Sequence, residues 1–121
     1  IRNGWFSYRW SQILEMGQIA SEIIVMKAQP IDSETPDNSQ QPSLAPAPID
    51  DVVAKIKSEK PDIVFAPHVE TASGMLLPDD YIRTVAEAVH SIGGLFVLDC
   101  IASGTLWVDM QDCGVDIPMP C

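Results

Sequence analysis

Two uninterrupted apolar runs, Ile63-Val64-Phe65-Ala66 and Leu95-Phe96-Val97-Leu98, constrain this chain more than any other feature. A strand that is apolar at every position has no solvent face, so it must be covered on both sides, as strands of a parallel sheet are. Each run also follows a segment of helical period. Ile49, Val52, Val53 and Ile56 recur at the spacing of one helix face, and Asp50 and Asp51 fall in the first turn, where the helix dipole favours negative charge. Before the second run, Pro78 suits a first helical position, Asp79 and Asp80 follow it, and Ile82, Val85, Ala86 and Val89 repeat the pattern up to Gly93-Gly94.

The beginning of the chain predicts a further helix over 7–20, with Trp10, Ile13 and Leu14 on one face, Ser7 as its cap and Gly17 near its end. The β-branched run Glu22–Met26 then predicts a strand. Helix, strand, loop, helix, strand, loop, helix, strand is the order of βαβ units. The predicted fold class is therefore α/β: three layers, a mostly parallel sheet flanked by helices, with right-handed crossovers.

A length of 121 residues with 46% hydrophobic content suits one compact domain. Gln29–Pro48 carries five prolines and almost no large apolar side chains, so it predicts a surface insertion at about 29–48 within that domain 1–121 rather than a linker between two domains. The chain opens on Ile1-Arg2-Asn3-Gly4, which looks like the tail of a strand entering a turn. It closes on an apolar approach to another strand interrupted by Pro118 and Pro120, neither of which can donate a ladder hydrogen bond. Both ends predict an internal piece of a longer protein.

Seventeen acidic residues against seven basic ones, a formal charge of −10, argue against a nucleic-acid backbone or an anionic membrane as partner. The apolar runs are too short to span a bilayer, and no signal-peptide pattern is present. Cys100, Cys113 and Cys121 form no C-x-x-C pair, which suggests neither a disulfide framework nor a metal site. A soluble, cytoplasmic chain is expected.

In an open parallel sheet, ligands bind beyond the carboxyl ends of the strands. Three polar segments fall at such positions: Asn3–Arg9, His68–Gly74 and Asp99–Gly104. Asp99 directly follows four apolar residues, where an ionised carboxylate needs a cation or a hydrogen-bond donor. A protonated pyridine nitrogen would satisfy it, and so would the amides of a following turn. His68, Glu70, Thr71 and Ser73 could hold a polar ligand or simply tie down their own loop. Trp5, Phe6 and Tyr8 could stack on a flat ligand, whereas Trp10 has the spacing of a core residue.

The ordered motifs His-Val-Glu-Thr-Ala-Ser-Gly (68–74) and Leu-Phe-Val-Leu-Asp-Cys-Ile-Ala-Ser-Gly-Thr-Leu-Trp-Val-Asp (95–109), with Asn-Gly-Trp-Phe-Ser-Tyr-Arg-Trp (3–10) ahead of them, resemble the class V family of fold-type I aminotransferases. The likeness is greatest to the alanine-glyoxylate and serine-glyoxylate group, and it covers nearly the whole chain outside the Pro-rich segment. It implies part of the large, cofactor-binding domain of a homodimeric transaminase that uses pyridoxal 5'-phosphate. The substrates implied are a small amino acid and a 2-oxo acid such as glyoxylate or pyruvate. Asp99 matches the family's aspartate on the pyridine nitrogen, which keeps the ring protonated so that it can accept electrons. Phe6 matches the aromatic residue stacked on the ring, Ile101 the aliphatic residue on the opposite ring face, and Thr71 a hydroxyl that bonds the cofactor. His68, Glu70 and Arg9 match positions that support these.

Departures from the family pattern limit what is implied. The Schiff-base lysine is expected beyond Cys121 and the phosphate-binding glycine loop before Ile1, so no catalytic residue is assigned within the chain and no metal ligand is expected. Pro118 and Pro120 stand where the family continues into a strand. A non-catalytic α/β module, or another class V enzyme such as a desulfurase or lyase, remains an alternative; none of the cysteines stands where a desulfurase nucleophile is expected.

Overall fold

The structure is a computed structural model that describes residues 1–31 and 43–119. The elements run α1 (Trp5–Gly17), β1 (Gln29–Pro30), β2 (Leu44–Ala45), α2 (Ile49–Glu59), β3 (Ile63–Pro67), β4 (Val69–Glu70), β5 (Met75–Leu76), α3 (Asp79–Ser91), β6 (Leu95–Asp99), α4 (Met110–Cys113) and β7 (Ile117–Met119).

The two apolar runs become β3 and β6, and they pair in parallel from Ile63 opposite Leu95 to Pro67 opposite Asp99. The third strand, β7, joins the far side of β6, also in parallel, which gives the order β3-β6-β7. As the central strand, β6 is buried most deeply, with Phe96 and Leu98 both fully inaccessible. Alternation along the strands then sorts the side chains into two faces. Val64, Ala66, Phe96 and Leu98 pack with Val52 and Ile56 of α2 and with Ile82, Val85 and Val89 of α3. Phe65 points the other way and stacks on Trp10 of α1, their ring centroids 4.9 Å apart. The sheet therefore has helices on both faces, which is the three-layer α/β arrangement, and Trp10 packs on the sheet.

Helix ends follow local chemistry. In α2, acidic residues occupy the first turn and Lys60 takes the left-handed conformation at the C-cap. Pro78 is the N-cap of α3 rather than its first helical residue. α1 begins two residues before the predicted start, because Ser7 Oγ accepts the amides of Asn3 and Gly4 and so closes the first turn from inside. At the opposite end of β6, the Asp116 carboxylate accepts the Phe96 amide and meets His90 Nε2 at 2.9 Å.

Two strand expectations are corrected. Glu22–Met26 is not a strand: a single parallel bridge, Arg2 opposite Lys27, forms just after it. A ladder needs a partner of comparable length, and the short segment ahead of α1 supplies only one bridged residue. Pro118 does not interrupt the last strand but pairs with Leu98 inside β7. Met119 O accepts the Cys100 amide, so the alternating backbone turns the Pro118 nitrogen away from β6, where a missing N–H costs no ladder bond. Within the Pro-rich segment β1 and β2 pair antiparallel, and Ala47 is buried, its carbonyl accepting the Tyr81 hydroxyl. Residues 32–42 of that segment, together with Pro120 and Cys121, lie outside the described residues. Among the described residues no helix is long and apolar enough to cross a membrane.

Candidate functional site

The parallel strands β3 and β6 end together, at Pro67 and Asp99, so the segments that follow them start side by side. His68 joins them: its amide donates to Asp99 O at 2.9 Å, and its buried ring Nδ1 lies 2.7 Å from Ser103 Oγ. Two residues later, on the same side of the extended chain, Glu70 turns its carboxylate towards α1. Oε2 accepts the Ser7 amide at 2.9 Å and the Ser7 hydroxyl at 2.7 Å. Oε1 accepts the amides of Phe6 and Ala72 at 3.2 and 3.3 Å. The three polar segments singled out in the sequence are thus one hydrogen-bonded assembly at the carboxyl end of the sheet.

Glu70 is wholly inaccessible, and desolvation by itself would raise its pKa. The bonds from the Ser7 hydroxyl and from the amides of Ser7, Phe6 and Ala72 outweigh that and hold it below the ordinary carboxylate value. It also sits at the N-terminus of α1, where the helix dipole favours an anion. Gly4 makes the approach possible: a Cβ there would lie 2.6 Å from Glu70 Cγ. Burial pushes the His68 pKa down, opposed in part by the Asp79 carboxylate.

Asp99 is half-buried at the end of β6, and its Oδ1 accepts the Ile101 amide at 3.1 Å, a turn-capping contact. Its Oδ2 has no hydrogen-bond partner among the described residues. Phe6 and Ile101 are exposed by 56% and 65%, and Thr71 stands exposed in the turn between β4 and β5. Arg9 projects from α1 and is held by no hydrogen bond or ion pair among the described residues. The structure therefore ties Phe6 to Glu70, Asp99 to His68 and Ile101 to Asp99, and leaves Thr71 and Arg9 free.

Two cavities lie nearby, and neither is lined by Asp99, Phe6, Thr71 or Ile101. One, of about 540 Å³, lies among α1, α2 and β3. The other, of about 450 Å³, is lined by Leu98, Cys100, Ser103, Trp107 and Met110 among others. No group of three His, Cys, Asp or Glu side chains among the described residues is placed to hold a metal ion.

Sequence reasoning did not single out Ser103 as the partner of His68, or Asn3, which is buried with its Oδ1 lacking a partner. Ser7 was legible only as a helix cap, since its contact with Glu70 spans 63 residues. No local pattern signals such pairings.

No family model matches the chain, and no curated protein sequence does. In three dimensions, 97% of the chain superposes on part of the crystal structure of ureidoglycine-glyoxylate aminotransferase from Bacillus subtilis, with a TM-score of 0.75 and 22% sequence identity. The chain spans 26% of the length of that protein. Its α/β fold is that of a portion of this aminotransferase.

Proposed function

We propose that the chain supplies one wall of a pyridoxal 5'-phosphate site in an aminotransferase. The supporting observation is that Asn3–Arg9, His68–Gly74 and Asp99–Gly104 are bonded together beyond the ends of β3 and β6, with Asp99 keeping one carboxylate oxygen unbonded among the described residues. That oxygen fits a ligand bearing a protonated ring nitrogen. The exposed Phe6 and Ile101 suit the two faces of a flat ring, and the Thr71 hydroxyl suits its polar edge.

Pyridoxal phosphate, when bound, supplies an electron sink for amino-group transfer. In this proposal Asp99 holds a proton on the ring nitrogen, Phe6 and Ile101 fix the plane of the ring, and Thr71 donates to a ring substituent. His68 and Glu70 orient these groups, and Arg9 supports them from α1. The proposed substrates of the whole protein are a small amino acid such as alanine or serine and a 2-oxo acid such as glyoxylate or pyruvate. A cytoplasmic homodimer is proposed, with 1–121 as part of the cofactor-binding domain and an insertion at about 29–48. Lys27, Lys55, Lys57 and Lys60 all stand outside the three site segments. The activity proposed for the chain alone is accordingly weak ligand binding without transamination.

The test uses pyridoxine 5'-phosphate, which lacks the aldehyde and so cannot label surface lysines. Titration followed by NMR should shift the resonances of Phe6, Thr71 and Ile101, and Asp99→Asn should weaken binding by about tenfold or more. No saturable shift in these residues would refute the proposal.

A second reading, a non-catalytic α/β module, is favoured by the contact between Asp99 Oδ1 and the Ile101 amide, which makes Asp99 a turn cap. Under that reading Asp99→Asn lowers stability and no ligand shift exists to lose.

A further inference from the structure

Phe6 and Ile101, assigned above to opposite faces of one ring, are joined by a continuous relay. The Phe6 amide donates to Glu70 Oε1, and Glu70 is separated by one residue from His68. The His68 amide donates to Asp99 O, and Asp99 Oδ1 accepts the Ile101 amide. Side bonds stiffen both halves: Ser7 donates twice to Glu70 Oε2, and Ser103 meets the His68 ring. Meanwhile the Phe6 and Ile101 side chains stay more than half exposed. Their backbone amides are fixed.

We infer that Glu70 is a positioning residue that sets the separation between Phe6 and Ile101, and hence the affinity for a flat aromatic ring, acting through its bonds to the start of α1. This rests on the pyridoxal-phosphate proposal and specifies how Glu70 acts in it, through the first turn of α1 and without touching the ligand. The chemistry requires an anion at this position. The Glu70 carboxylate accepts from three amides and one hydroxyl, using both oxygens. A Gln side chain has one acceptor oxygen and turns an N–H towards groups that are themselves donors. The first turn of α1 must then shift, and Phe6 shifts with it. Gly4 leaves no slack, since its Cα already abuts the Glu70 side chain closely enough to exclude a Cβ.

The experiment titrates pyridoxine 5'-phosphate into the full 121-residue chain and into Glu70→Gln and Asp99→Ala variants, with far-UV circular dichroism reporting folding. Two readouts are taken: the dissociation constant, and the upfield ring-current shift of the Ile101 δ1 methyl, which reports how closely the methyl lies over the ring face. Glu70→Gln is expected to keep the helical signal, to bind about tenfold more weakly, and to show a reduced Ile101 shift. A parent chain that binds nothing overturns the pyridoxal-phosphate proposal and this inference with it. Binding that is lost in Asp99→Ala but unchanged in Glu70→Gln, in both affinity and Ile101 shift, overturns the positioning role alone. If Glu70→Gln does not fold, Ser7→Ala decides the matter: it removes the hydroxyl donor to Oε2, and with it the acceptor of the Asn3 and Gly4 amides, while the amides of Phe6, Ser7 and Ala72 keep Glu70 as their acceptor, and an unaltered Ile101 shift overturns the inference.

Discussion

The Glu70 carboxylate is bonded through a single oxygen to both the amide and the hydroxyl of Ser7, a residue 63 positions earlier in the chain. That pair fastens the first turn of α1 to β4. With the Phe6 amide, which donates to the other oxygen of the same carboxylate, it ties together parts of the chain more than sixty positions apart, and several consequences can be measured.

Glu70→Ala should cost about 2–3 kcal/mol of folding stability, because the amides of Phe6, Ser7 and Ala72 lose a buried acceptor and α1 loses its anionic cap. Urea denaturation at neutral pH measures this. A loss below about 0.5 kcal/mol, the range of an ordinary surface substitution, would contradict a buried charge-assisted cap.

Gly4→Ala should be destabilising by about 1–3 kcal/mol, because the new Cβ would stand 2.6 Å from Glu70 Cγ. Gly4 has an extended φ of 176°, so the penalty is contact and not backbone strain. In a Glu70→Ala background the obstructing atoms are gone and the same substitution should cost much less. The non-additivity of this double-mutant cycle identifies the contact.

Two groups should give the acid unfolding limb two steps. Burial depresses the His68 pKa from 6.5, so the unfolded chain binds a proton that the folded one refuses; stability is full above pH 6.5 and falls as the pH drops below it. Glu70 is depressed from 4.5, so its contribution is present above pH 4.5 and is lost as the pH falls through its lower folded value. His68→Asn should remove the upper step and Glu70→Gln should reduce the lower one. Asp116, held down by the Phe96 amide and His90, adds to the lower step. Stability measured against pH in both variants checks the assignment.

Gly114→Ala and Gly74→Ala should differ although both glycines have positive φ, 69° and 68°. A Cβ on Gly74 meets nothing, so the substitution costs backbone strain alone, about 1 kcal/mol. At Gly114 the Cβ would also lie 2.9 Å from Ala86 Cβ in α3, which adds a packing penalty and should roughly double the loss. Thermal denaturation of the two variants side by side tests the ranking.

Much of the fold was legible in local pattern. Helical spacing around Val52 and Val85 and the unbroken apolar runs of β3 and β6 required a parallel sheet covered on both faces, because such strands have no face to leave in water. That order also put Asp99 at a strand end, where ligands of open sheets bind. Glu22–Met26 shows the limit: its residues favour a strand, yet strand formation depends on a partner, and composition carries no record of the partner.

Sequence by itself determined that the runs at 63–66 and 95–98 are strands, which faces of α2 and α3 turn inward, and that three polar segments follow apolar elements; the Ile13 side of α1 stays exposed, and that helix buries Ser7 and Ser11 instead. Only the tertiary structure decided that Glu70 faces α1 and not its own loop alone, that His68 meets Ser103, and that Asp99 spends one oxygen on the Ile101 amide. The physical reason is range. Hydrophobic periodicity is set by neighbours a few positions away, whereas a buried carboxylate takes whichever donors the packed chain brings within about 3 Å of it.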